Sequence, residues 1–187
     1  LNTARLTPGT SVAVFGLGGV GLSAVLGAVV ASAARIFAVD PVAGKRKLAR
    51  ELGATHSFAP GEAVTDVREV CPAGVDFAIE AVGSDEVMAQ AFEVTARGGT
   101  TVAVGLPHPS KRLAVSVTRI VAEARTVVGS YMGSARPQAD IPLLARLWRA
   151  GQLPVERLRG ESFGLEQLPE ALDALAAGQA LRQIILT

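Results

Sequence analysis

Residues Ser11-Val12-Ala13-Val14-Phe15-Gly16-Leu17-Gly18-Gly19-Val20-Gly21 decide how the rest of the chain is read. A short β-like apolar run ends in G-x-G-x-x-G, and the alanine-rich segment that follows is helical in character, so the stretch reads as strand, glycine turn and helix start. Each glycine has a separate use. Gly16 permits the tight turn, Gly18 lets backbone approach a diphosphate with no Cβ in the way, and Gly21 lets helix and strand pack closely. The helix N-terminus then faces the anion. A membrane span also has to be weighed here, because residues 12–34 run for 23 positions without a charge, which is long enough on length alone. The glycines at 16, 18, 19, 21 and 27 divide that run, and two short elements explain it better than one spanning helix.

Outward from this turn, apolar strand candidates alternate with helical stretches. A strand at Arg35–Val39 precedes a helix over 43–52 stopped by Gly53. A short strand at His56–Phe58 and a polar helix over 62–70 lead into a strand at Val75–Glu80. Ser84 then caps a helix with Asp85 and Glu86 in its first turn and Val87, Met88, Ala91 and Phe92 on one face, ended by Gly98-Gly99. Strands at 100–104 and 126–131 follow. Most of these are continuous apolar runs, as parallel strands covered on both faces require. The pattern predicts an α/β fold: a doubly wound parallel sheet of Rossmann type, about six strands, with helices on both faces. Beyond it we expect a helix over 141–150 with Pro142 in its first turn, a strand near 158–163, a helix ending at Gly178 and a strand over 181–186. No segment reads as a linker, so residues 1–187 form one dinucleotide-binding domain, with 157–187 a C-terminal strand-helix-strand.

Composition narrows the function classes. The chain is 49% hydrophobic and 19% charged, which excludes long disorder. A formal charge of +1 without a long basic run speaks against a nucleic-acid partner. One cysteine, Cys71, excludes an intrachain disulfide or multi-cysteine zinc site and suits a cytoplasmic setting. Cys71 is read as incidental, and His56 and His108 as loop residues. The chain begins at Leu1 with no secretory signal and reads as a piece of something longer.

Nineteen residues beyond Gly21 the second strand ends in Asp40, where an acid can bind the adenosine ribose hydroxyls. A carboxylate there accepts from a free 2′-hydroxyl and repels a 2′-phosphate, so NAD is favoured over NADP. Lys45 and Arg46, one turn into the next helix, could offer a phosphate a positive partner; Arg46 is read as a solvated helix charge. Gly83 and Gly105 end the strands that flank the crevice beyond the sheet's carboxyl edge. Ala81, Val82, Val104 and Leu106 are therefore candidates for cofactor contact or for plain strand-end packing.

The pattern Pro8-Gly9-Thr-Ser-Val-Ala-Val-Phe-Gly-Leu-Gly-Gly-Val-Gly21, with Ala38-Val-Asp40, Leu52-Gly-Ala-Thr55, Val75-Asp76, Glu80-Ala-Val-Gly83 and Val104-Gly105, resembles the cofactor-binding half of medium-chain zinc-dependent alcohol dehydrogenases. The resemblance implies a dinucleotide seated on Gly16, Leu17, Gly18, Gly19, Val20 and Gly21. Asp40 would hold the ribose with Lys45 beside it, Val82, Val104, Gly105 and Leu106 would line the nicotinamide end, and Arg182 would reach the pyrophosphate. Tyr131 and Met132 would border the subunit interface and the substrate pocket. The whole enzyme would move a hydride between an alcohol or aldehyde and NAD, with zinc polarising the oxygen. Its zinc ligands would lie in a catalytic domain outside this chain, to which 157–187 would return, so no catalytic or metal-binding residue is expected here. The isolated chain should bind NAD(H) without turning over alcohols, and the uncharged 126–131 edge should pair two copies as a homodimer. The rivals are a zinc-free quinone or enoyl reductase, which Gly16 and Asp40 argue against, and a non-catalytic dinucleotide-sensing module.

Overall fold

The computed structural model describes residues 1–178 and 180–186; Gln179 and Thr187, both within the predicted C-terminal unit, lie outside the described residues. Strand β1 (Ser11–Phe15) is buried along its whole length because it runs through the middle of a sheet covered on both faces. Side chains alternate across it. Val12 and Val14 join one core with Leu22, Val25 and Ile36, while Ala13 and Phe15 join the other with Phe37, Val67 and Ala91. Full burial of each of the large side chains stabilises by about 1.5–3 kcal/mol.

The sheet adds β2 (Arg35–Val39), β3 (His56–Phe58), β4 (Val75–Glu80), β5 (Thr95–Ala103) and β6 (Thr126–Gly129) in the order β3-β2-β1-β4-β5-β6. Every pairing is parallel. Helices α1 (Gly19–Val30), α2 (Ala43–Glu51), α3 (Ala63–Val70), α4 (Asp85–Val94) and α5 (Val117–Ala122) make the crossovers. This is the doubly wound Rossmann arrangement, whose order reverses between β1 and β4. Residues 12–34 divide into β1 and α1, and among the described residues no helix is long and apolar enough to cross a membrane.

Several element bounds differ from expectation, among them β6, which ends at Gly129 rather than 131, and β8, which starts at Ile184 rather than 181. Helix α4 ends at Val94 rather than at Gly98-Gly99, because Thr95 turns extended and its hydroxyl bonds to Ala91 O and Thr101 Oγ1, both at 2.8 Å. Strand β5 therefore starts at Thr95 and bulges before resuming beside Phe77 at Thr100. Helix α5, capped by Ser116, was not expected. Helix α6 (Pro137–Arg149) begins earlier than the apolar pattern suggests, at the proline that opens its first turn, and carries Pro142 inside. The strand expected near 158–163 is a 3-10 turn at Val155–Leu158 followed by β7 (Ser162–Gly164). After α7 (Leu168–Ala176), β8 (Ile184–Leu186) pairs with β7 in a separate two-stranded parallel sheet.

Candidate functional site

Three loops meet where the strand order reverses. Gly16 leaves β1 with φ +88° and donates to Val39 O at 2.8 Å, and a Cβ there would lie 2.5 Å from Val82 Cγ2. Gly21 faces the opposite way: a Cβ on it would collide with the carbonyl oxygen of Gly16, so the first turn of α1 can close on β1 only with glycine there. Packing explains these two glycines. It does not explain Gly18, where a Cβ would meet no atom within 4 Å. Gly18 is the N-cap of α1, contributes no capping side chain, and the first turn of the helix holds no acid. The leading N–H groups of α1 thus have no side-chain acceptor and favour an anion.

Asp40, at the end of β2, is buried and aimed back at this loop. Its Oδ2 accepts from Leu17 N and its Oδ1 from Val42 N, each at 2.8 Å. The carboxylate therefore links the glycine turn to the β2–α2 turn, with half its lone pairs still open to another donor. Leu17 contributes through its backbone, since its side chain is fully buried in the core. Arg46 departs from expectation: it is not a loose helix charge, because its Nη1 donates to Asp40 O at 2.6 Å and Pro41 O at 2.8 Å.

One further cation closes on the loop, from the C-terminal unit, while the Lys45 ammonium points elsewhere than the sequence suggests. A Cβ added at Gly19 would lie 3.0 Å from Arg182 Nε, so the exposed Arg182 lies across the start of α1. Its carbonyl is fixed by the amide of Gly160 at 2.6 Å. Lys45 turns its ammonium toward the end of α7, 3.5 Å from where a Cβ on Gly178 would sit.

On the other side, the loops after β4 and β5 touch backbone to backbone. Glu80, a residue that sequence reasoning did not place in the site, organises them. It is 2% exposed, and its Oε1 accepts from Val82 N and Gly83 N at 2.7 Å. A charged residue following the apolar Phe77-Ala78-Ile79 at the crevice end of β4 was the signal that could have found it. The carbonyl of Glu80 takes the amides of Val104 and Gly105 at 2.9 and 3.0 Å. Val20, Val82 and Leu106 are left 53%, 56% and 82% exposed around this junction, while Val104 is half-buried against the core. Three bare aliphatic side chains beside unsatisfied amides suit a ligand with one apolar and one anionic end.

Beyond Leu106 the chain folds over α4, where Lys111 hydrogen-bonds Asp85 at 3.1 Å. That ammonium holds the Asp85 carboxyl below its ordinary range. An apolar cavity of about 630 Å³ lies beside Arg182, between Ser23, Leu158, Leu172, Leu175 and Ile184. Tyr131 and Met132 sit past the end of β6 and are strongly exposed.

The remaining candidates do not gather. Cys71 is buried with its thiol on Gly74 O at 2.9 Å, His56 stacks on Phe37 with ring centres 5.0 Å apart, and His108 Nδ1 meets Ser110 Oγ at 2.8 Å. Among the described residues, no three His, Cys, Asp or Glu side chains come together as metal ligands. These residues do not make a zinc site.

Comparison with known proteins bears on the family and the fold. The model of the family described as zinc-binding dehydrogenase matches residues 19–148. The NDMA-dependent alcohol dehydrogenase of Amycolatopsis methanolica is 41% identical over 184 residues, covering 95% of this chain and 49% of that protein. The crystal structure of benzyl alcohol dehydrogenase from Acinetobacter calcoaceticus superposes with a TM-score of 0.94 at 33% identity, over 98% of this chain and 51% of that one. A protein from Sinorhizobium meliloti 1021, solved bound to NADP, gives 0.89 at 26% identity over 98% of this chain and 54% of its own. The chain spans about half the length of the relatives it matches.

Proposed function

The chain belongs to the zinc-binding dehydrogenase family, and from that premise we propose that it is the dinucleotide-binding half of an alcohol dehydrogenase, moving a hydride between an alcohol or aldehyde and NAD. One observation carries the reading: an uncapped α1 N-terminus, a buried Asp40 and Arg182 converge at the point where the strand order reverses. When bound, the nicotinamide supplies the hydride acceptor. The chain's own residues bind and orient it. Amides of the Gly16–Gly21 turn and the Arg182 guanidinium neutralise the diphosphate. The open lone pairs of Asp40 take the ribose hydroxyls, and Lys45 joins them by turning its ammonium back from the end of α7. Val82, Val104, Gly105 and Leu106 give the nicotinamide an apolar wall that sets which face meets the substrate.

Zinc and the substrate contacts belong to the part of the enzyme outside this chain. Residues 157–187 and the apolar cavity beside Arg182 are where that part returns and packs. The relatives that act on alcohols support the substrate class, and the NADP-bound neighbour keeps the phosphorylated cofactor in view. We read the protein as cytoplasmic, without nucleic-acid or membrane partners, and as a homodimer.

Calorimetric titration of the chain with NADH tests the reading. We expect binding without alcohol turnover, weakened at least tenfold in Asp40→Ala, since hydrogen bonds to a charged group contribute about 1.5–3 kcal/mol. Equal affinity in the wild type and Asp40→Ala would sink the assignment, and so would alcohol oxidation by the chain alone.

A further inference from the structure

Glu80 carries a charge that its hydrogen bonds do not require. Its Oε1 accepts from Val82 N and Gly83 N at 2.7 Å and from Ser84 N at 3.4 Å, a set that the carbonyl oxygen of a glutamine would satisfy as well. Among the described residues its Oε2 accepts no hydrogen bond. A Cβ on Gly105 would lie 2.8 Å from that free oxygen and would collide with Gly83 N, so the bare Cα of Gly105 is what lets the carboxylate come up against the loop after β5. Among the described residues no cation pairs with the carboxylate. Lys111 and Arg112 line a small cavity of about 230 Å³ that Glu80 also borders, but the ammonium pairs with Asp85 at 3.1 Å and the guanidinium bonds to the carbonyls of Pro109 and Lys111. With Glu80 only 2% exposed, the amide dipoles lower the cost of burying the carboxylate without cancelling its net charge, and a cation arriving nearby recovers part of that cost.

The two oxidation states of a nicotinamide dinucleotide differ in charge at the ring alone: the oxidised ring is a cation and the reduced ring is neutral, while diphosphate, riboses and adenine are the same in both. We propose that Glu80 determines specificity for oxidation state, its unpaired carboxylate beside Gly105 stabilising the oxidised, cationic ring and shifting the bound couple toward NAD+. The inference rests on the dinucleotide-binding reading above, which gives Val82, Gly105 and Leu106 to the nicotinamide, and adds to that apolar wall a residue that discriminates by charge and not by shape. Stabilising the oxidised form lowers the potential of the bound couple, which favours hydride delivery to a carbonyl over hydride uptake from an alcohol.

The test is calorimetric titration of the chain with NAD+, NADH and ADP-ribose, which has no nicotinamide, in the wild type and Glu80→Gln, with a thermal melt of each to show that it folds. Glu80→Gln keeps an acceptor for the amides of Val82 and Gly83 and removes the charge. The expected result is a loss of NAD+ affinity relative to NADH of roughly three- to thirtyfold, the range that one unit charge several ångströms away gives at the effective dielectric of a protein. ADP-ribose should change by no more than about twofold. Glu80→Asp and Glu80→Asn, alike in length and different in charge, repeat the comparison, with NAD+ favoured in the charged variant, and this pair decides the matter should Glu80→Gln fail to fold. An unchanged ratio of NAD+ to NADH affinity overturns the proposal, as does an equal loss of all three ligands, which would make Glu80 a brace for the two loops and nothing more. Failure of the wild type to bind any of the three removes the dinucleotide reading and this inference with it.

Discussion

At the scale of single residues, the glycine turn separates what the fold needs from what a ligand needs. Gly21→Ala drives a Cβ into the Gly16 carbonyl. Because the obstacle is backbone, we expect a loss of about 2–3 kcal/mol, more than the roughly 1 kcal/mol an alanine adds to a helix. Gly18→Ala meets nothing. It should cost under about 1 kcal/mol of stability through the weaker N-cap, while lowering NADH affinity severalfold. Thermal melts and titrations of the two variants check the pair, and a Gly18→Ala protein that binds as well as the wild type would return that glycine to chance. The turn and Asp40 were legible because their roles are set by spacing along the chain. Arg46 and Glu80 were not. Both act on backbone atoms of a neighbouring turn, Arg46 on two carbonyls and Glu80 on two amides, and nothing in a residue's identity says which main-chain groups its side chain will reach.

Among the elements, the parallel strands were readable because burial on both faces leaves continuous apolar runs, which β1 and β2 keep almost intact. Element ends were harder. A threonine hydroxyl rather than a glycine stops α4, and the six residues of α5 are too few to show a period. The short strand β3 carries a pH-sensitive group on the sheet's edge. His56 stacks on Phe37, with Phe58 beside both rings, and bonds to Thr55 Oγ1 at 2.9 Å. Burial, and then the nearby Arg50 and Arg35, push its pKa below the ordinary 6.5. The folded state therefore binds fewer protons than the unfolded chain in the window just below that value, so stability is full above it and falls as the pH drops through it. His56→Gln should flatten this slope in denaturant melts taken from about pH 7.5 to 5. An unchanged slope would assign it to other groups.

For the whole molecule, the sheet ends at β6, whose residues are largely exposed, and α6 has no fully buried residue. Val117 and Val121 of α5, Tyr131 after β6, and Ile141 and Trp148 of α6 are all exposed. An exposed parallel edge flanked by apolar side chains invites a second copy, and light scattering at high concentration should report a dimer; a strict monomer would refute it. The sequence showed the uncharged edge but not the helix face, because α6 has the same apolar spacing whether its partner lies in this chain or another. The small β7–β8 sheet has a different consequence. It has only two strands of three residues each, and sheets of that size have little stability of their own. Yet Arg182, the cation that lies across the start of α1, is carried immediately before β8. Local opening of this tail should thus be linked to occupancy of the glycine turn: protease should trim the chain first near residues 160–186, hydrogen exchange should be fastest there, and a dinucleotide that engages Arg182 should slow both.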